Sequence, residues 1–177
     1  KVFEELVSID PRYKDAYTNL SYMYLELGRY AEAANAARQE LANFPESPMA
    51  TNNLGYALTQ LAKFDEAVPV LKKAISLDVK NTKAHVNLAN SLRGLGRTAE
   101  IVPVYEYLVE TNPDYAQGWA NLANAAMMAG QHEKGLKAGL RWVELKPDDV
   151  LAQNMLGVIH MAMGKYADGA AAFRRAV

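Results

Sequence analysis

Prolines mark the frame of this chain. Pro11, Pro45, Pro113 and Pro147 fall at the same place in a 34-residue period, and Val79 fills the single gap. A period of that length describes a stack of helical hairpins rather than a globule with one centre, because each repeat buries its apolar face only against its neighbours. The residues between the prolines recur in phase. Counting Lys14 as position 1, position 7 is Leu20, Leu54, Leu88, Leu122 and Leu156, and position 8 is always small: Ser21, Gly55, Ala89, Ala123 and Gly157. That pair sits midway along a first helix. Position 15 is Gly28, Gly96, Gly130 and Gly164, where a left-handed residue ends the helix and turns the chain. Ala62 takes this position in the second frame and is expected to be strained. Position 20 is Ala33, Ala67, Gly135 and Gly169, small enough for a second helix to lie close against the first; Ile101 breaks that rule.

The pattern of Leu, small, Gly, small and Pro resembles the tetratricopeptide repeat family, and the resemblance covers essentially every residue. It implies an all-α fold, a right-handed superhelical α-solenoid of antiparallel helix pairs, as a single array over 1–177. Residues 1–13 read as the second helix of a preceding repeat, from Val2, Phe3, Leu6 and Val7. Full repeats follow at 14–47, 48–81, 82–115 and 116–149, and 150–177 is an incomplete fifth. A pentatricopeptide RNA binder, with its 35-residue period, would slip by one residue per repeat, and no slip occurs. Neither end has the polar outer surface of a capping repeat. The chain is therefore expected to be a segment of a longer protein, or else to form homo-oligomers by stacking through those ends.

Composition narrows the function. The 19 basic and 20 acidic residues give a net charge of -1, which leaves no basic stripe to displace counterions from phosphates, so nucleic acid is not an expected partner. The 50% hydrophobic content supports a continuous core, yet no apolar run reaches the length needed for membrane insertion. With no cysteine there is neither a disulfide nor a thiolate metal site. The expected compartment is the cytoplasm, with the periplasm left open. His85, His132 and His160 occupy positions 4, 17 and 11, which do not converge on one face, and they read as a packing, a turn and a core residue. Gly94-Leu95-Gly96 has no strand before it and reads as a helix end, not a dinucleotide loop. No cofactor, metal or enzymatic activity is expected.

What remains is the inner surface. The family resemblance implies that first helices line a concave groove, into which positions 2, 5, 6, 9, 12 and 13 point. Position 6 reads Asn19, Asn53, Asn87 and Asn121, then Met155. Asparagine inside a helix costs about half a kcal/mol relative to alanine, and a local rule broken repeatedly on one surface is expected where function sits. A side-chain amide offers one acceptor and two donors, so it can grip both polar groups of a bound backbone. First helices about 10 Å apart and an extended peptide advancing about 3.4 Å per residue would bring one amide to about every third peptide residue. The alternative use of each asparagine is to tie neighbouring helices together. Similar ladders occur in the repeat arm of O-linked N-acetylglucosamine transferases, which the chain resembles in that respect.

The neighbouring groove positions add Tyr22 and Tyr56, then Asn90 and Asn124, with Asn52 beside Asn53 and Lys83 at position 2. Tyrosine can stack on a ligand while offering a hydroxyl. Met127, Met128, Met155 and Met161 give the C-terminal half a soft apolar wall suited to tolerant binding; their alternative use, and the one expected of Met161, is to fill core gaps or meet a capping helix. The expected partner is an extended protein segment, gripped by its backbone in the first half and read by its side chains in the second. The alternatives are a self-assembling structural segment and the substrate-selecting arm of a larger enzyme. The carboxylate clamp of chaperone-binding relatives would need five matching residues, of which only Asn53 and Lys83 are present. Two core features concern stability: Gly139 and Trp142 read as an exchange of volume between positions 24 and 27, and Glu40, at position 27, must reach water or a donor such as a tyrosine hydroxyl and is expected to snorkel. Pro69 and Pro103, both at position 22, each remove one early hydrogen bond from a second helix.

Overall fold

The structure, a computed structural model, describes residues 5, 8–10, 12, 13 and 15–176. Val2, Phe3, Leu6 and Val7, on which the expected leading helix rests, lie outside the described residues, as do Pro11 and Lys14. Ten α-helices follow one another from residue 16 onward: α1 (Ala16–Glu26), α2 (Tyr30–Asn43), α3 (Pro48–Gln60), α4 (Phe64–Leu77), α5 (Thr82–Gly94), α6 (Ile101–Thr111), α7 (Ala116–Met128), α8 (His132–Leu145), α9 (Val150–Ala162) and α10 (Tyr166–Arg175). Odd-numbered helices are first helices of the frame and even-numbered ones are second helices. The chain falls into two compact units, Lys1–Arg97 with α1 to α5 and Thr98–Val177 with α6 to α10.

Local chemistry marks several of the helix ends. Ser47, Asn81 and Asp149 cap the first helices α3, α5 and α9: their side-chain oxygens accept from the N–H groups of Ala50 (3.3 Å), Ala84 (3.1 Å) and Leu151 (2.9 Å). At the other end, a left-handed residue lets the next N–H reach back five residues, as Arg29 does to Tyr24 O (2.8 Å) and Gln131 to Ala126 O (2.8 Å). The φ angles of Gly28, Gly96, Gly130 and Gly164 are +69° to +74°. Ala62 is held at +56° and makes the same turn, with Lys63 N–H donating to Leu58 O at 2.9 Å. The strain expected there from the sequence is present.

In the N-terminal unit α1 packs on α2 and α3 on α4, α2 and α4 each pack on the following first helix, and α1, α3 and α5 lie in a row. In the C-terminal unit α7 packs on α8 and α9 on α10, with α8 against α9. The five leucines of position 7 are all buried. Small residues at position 8 make room for position 24 of the partner helix: a Cβ on Gly55 would sit 2.5 Å from Leu71 Cδ2, and the Phe173 ring lies where a Cβ on Gly157 would go. Position 20 works the same way, for a Cβ on Gly135 would press on Met127 at 3.3 Å. Ile101, the exception, is buried at the start of α6, and its preceding turn, Thr98–Glu100, is a 3-10 turn, whereas the other second helices are already α-helical there. Pro69 lies inside α4, and Pro103 in the first turn of α6.

The volume exchange in the fourth frame is realised. Gly139 is buried with no room for a Cβ beside Leu156 (2.9 Å), while Trp142 packs with Ala120 and Ala152 and donates its indole N–H to Asp149 Oδ2 at 3.1 Å. Glu40 departs from expectation. It does not snorkel: its exposure is 1%, and Oε1 accepts the backbone N–H of Asp15 at 2.9 Å. The carboxylate thus supplies the start of α1 with an acceptor that the loop itself lacks, since Asp15 makes no side-chain cap.

Candidate functional site

The first helices are almost free of charge. Of the chain's 19 basic and 20 acidic residues, only Glu26 on α1 and Lys83 and Arg93 on α5 fall within them. The ion pairs gather on the second helices instead, such as Arg29–Glu32 (2.9 Å), Arg38–Glu66 (3.3 Å), Lys134–Glu106 (2.6 Å) and Arg141–Glu144 (3.0 Å). A surface that must stay soluble normally carries charge; one that meets a partner's backbone or apolar side chains is depleted of it.

Within the N-terminal unit the position-6 asparagines divide. Asn19 is exposed, whereas Asn53 and Asn87 are buried. Asn53 Nδ2 donates to Thr18 O at 3.3 Å, so this amide spends one donor on joining α3 to α1, the structural use weighed from the sequence. A second tie, Thr59 Oγ1 to Ser91 Oγ at 2.8 Å, joins α3 to α5. Asn52 is half-buried and its Oδ1 has no hydrogen-bond partner. Position 9 is open at Tyr22 and Asn90 and partly covered at Tyr56. Tyr22 is 51% exposed, and Tyr56 is half-buried with its ring edge-on to Tyr30 (centroids 6.3 Å apart, 82° between planes). Asn90 is exposed and accepts from Arg93 Nη1 at 2.9 Å, which lays the guanidinium along the same face. Lys83 is exposed seven residues before Asn90, hence on that face as well.

In the C-terminal unit Asn121 is half-buried and accepts from Gln117 Nε2 at 3.2 Å, and Asn124 is exposed. Of the methionine wall, Met127 packs toward Gly135 and Met155 toward the Trp142 cluster, while Met161 is 44% exposed and Met128 63%. Sequence reasoning missed Leu151 (67% exposed) and Val158 (50%), the apolar residues of α9 at positions 2 and 9. Those positions in the fifth frame carry the signal: in the third and fourth frames they hold the exposed polar residues Lys83, Asn90, Gln117 and Asn124.

Two hollows, about 500 and 290 Å³, lie elsewhere in the N-terminal unit. The larger is lined by helix-end residues such as Phe44, Pro45 and Met49, and the smaller by Leu41, Pro69 and Lys73 among others. None of the residues proposed from the sequence lines either. His85 is fully buried, with Nδ1 2.9 Å from Asn81 O, and burial lowers its pKa below the usual histidine value. Among the described residues no group of three or more His, Asp or Glu side chains could hold a metal ion, and no helix is long and apolar enough to cross a membrane.

Solved structures with this arrangement of helices include MamA 41-end from Desulfovibrio magneticus RS-1 (TM-score 0.78, 24% identity, covering 94% of this chain and 93% of that one) and YrrB, described as a TPR protein with an unusual peptide-binding site (TM-score 0.80, 15% identity, covering 99% and 91%). A further MamA crystal structure is similar at a TM-score of 0.78 and 19% identity, covering 90% and 87%. No curated protein sequence matches the chain. The model of the tetratricopeptide repeat matches residues 18–82 and 86–150, the greater part of the sequence, and in phase with the leucine, small-residue and glycine positions that build the hairpins, so the chain belongs to the tetratricopeptide repeat family.

Proposed function

We propose that this protein is a non-enzymatic interaction scaffold whose first-helix face binds an extended segment of a partner protein. In the N-terminal unit the contacts come from Asn19, Tyr22, Asn52, Tyr56, Lys83, Asn87 and Asn90, with the free oxygen of Asn53. In the C-terminal unit they come from Asn121, Asn124, Met127 and Met128, extended by Leu151 and Val158. The observation that carries this reading is the near absence of charge from first helices whose exposed residues are amides, tyrosines and apolar side chains. Amides can pair with a stretched backbone whatever its sequence, and tyrosines supply area at little entropic cost. Each such hydrogen bond nets about 1 kcal/mol, so affinity is modest without side-chain contacts. YrrB, similar in fold, carries a peptide-binding site by its description.

The test selects peptides of roughly 16 residues, more than enough to cross either unit, from a random displayed library, and measures their affinity by calorimetry. Tyr22→Ala and Asn90→Ala each weaken binding about fivefold or more, as truncation of an interface anchor does, with melting temperature unchanged because both side chains are exposed. Asn35→Ala, on the exposed side of α2, leaves binding as it was. Affinity indifferent to Tyr22 and Asn90 would refute the proposal.

A further inference from the structure

Resting on the peptide-binding reading above, we infer that the N-terminal unit selects its partner by charge order: the bound segment carries a basic residue over α1 and an acidic residue about six positions away, over α5. The observation is the charge pattern of the three first helices that lie in a row. α1 has a single charge, Glu26; α3 has none; α5 has two, Lys83 and Arg93. All three are exposed, and none forms an ion pair among the described residues, in contrast to the charges of the second helices.

Their placement puts them on the proposed binding face. Glu26 follows Tyr22 by four residues and Asn19 by seven, which is one helical stripe, and Lys83 stands in the same relation to Asn87 and Asn90. Arg93 is tied to that stripe by its bond to Asn90 Oδ1. The row therefore runs from negative through neutral to positive across two helix spacings. Glu26 and Arg93, at positions 13 and 12, stand at the same level of their helices, so at about 10 Å per spacing they are about 20 Å apart, which an extended chain covers in about six residues; Lys83, at position 2, lies about 15 Å further along α5 and adds to the positive end. A segment with the complementary order gains two attractions; the reversed order meets like charge at both ends. The neutral α3, with Asn52, Asn53 and Tyr56, is left to grip whatever lies between.

The experiment is selection of the same displayed library on the full chain, followed by affinity measurement at low and high salt. Enriched peptides pair a Lys or Arg with an Asp or Glu about six residues apart. Glu26→Lys or Arg93→Glu weakens them about two- to fivefold, as exposed charge pairs do, and the loss shrinks at high salt. The triple reversal Glu26→Lys, Lys83→Glu, Arg93→Glu enriches the opposite charge order, with an unchanged circular dichroism spectrum showing that it folds. Peptides that require Tyr22 but carry no such spacing, and that ignore the reversals, overturn the charge order and leave the binding face standing. If nothing is enriched, both readings fall.

Discussion

Ala62→Gly should make the protein more stable, although glycine in place of alanine usually does the opposite. At +56°, Ala62 is one of two described non-glycine residues with positive φ, and the four residues at its frame position in the other repeats are glycines at +69° to +74°. Holding an L-residue in the left-handed region costs about 1–2 kcal/mol because Cβ crowds the following carbonyl. Glycine removes that cost, but its looser unfolded chain returns about 0.4–1 kcal/mol. The net gain is about 0.5–1 kcal/mol, or about 2 °C in melting temperature for a chain of this size. Packing does not enter, since Ala62 is exposed and a Cβ at any of the four glycines would meet nothing within 4 Å. The hydrogen bonds of the turn, Ala62 N–H to Thr59 O (3.1 Å) and Lys63 N–H to Leu58 O (2.9 Å), use only the backbone and survive the change. Gly96→Ala is the mirror experiment and should lower stability by a similar amount. Thermal unfolding followed by far-ultraviolet circular dichroism reads both. An Ala62→Gly melting point below wild type, or a Gly96→Ala melting point above it, would refute the reasoning.

Substitutions at two further residues test buried polar groups. Glu40→Gln keeps an oxygen for the Asp15 N–H and should change stability little, whereas Glu40→Leu orphans that donor at a helix start and should cost about 1–3 kcal/mol; equal losses in urea unfolding would remove the proposed cap. His85 titrates with its folded pKa below the unfolded value, chiefly through burial, with the Asn81 carbonyl and Asp78 pulling the other way. The unfolded chain therefore binds the proton first, so stability is full at neutral pH, falls as pH drops through the unfolded value of about 6.5, and levels off below the folded pKa. His85→Gln, using the residue found at the same position as Gln153, should flatten that part of the stability curve; a melting temperature that drops equally in both proteins between neutral and mildly acidic buffer would show that His85 is not its source.

The register of the fold was legible because it is written in residues whose size or φ is dictated locally. Position 7 leucines, position 8 gaps and position 15 glycines each do one thing, and Ala62 could be read as strained from its place alone. Glu40 was not legible, because its partner is a backbone N–H 25 residues away and nothing in the sequence says which helix start lacks an acceptor. The candidate face was legible in outline only. Position 6 sits at the seam between first helices, where the same residue type is exposed at Asn19, bonded to a neighbouring helix's carbonyl at Asn53 and half-buried at Asn121. Frame arithmetic places the residue at the seam but does not say which of its polar groups the neighbour takes.

That seam changes where recognition should be sought. An asparagine that gives one donor to Thr18 O keeps an acceptor and a second donor, so Asn53 can serve both roles, but its burial limits what can reach it. Its first effect is on the spacing of α1 and α3. A polar tie between helices that could otherwise slide on small residues fixes the interval at which the next exposed groups appear, and Thr59 with Ser91 does the same between α3 and α5. The groups so spaced are Tyr22, Tyr56 and Asn90 at position 9, which vary from frame to frame while position 6 stays asparagine through the first four frames. An invariant row suits a ruler, and a varying row suits a reader. On the proposed peptide-binding reading, recognition divides: the Asn53 tie helps set the pitch to which a stretched peptide conforms, and position 9, with the charges of Glu26, Lys83 and Arg93, chooses among the peptides that conform.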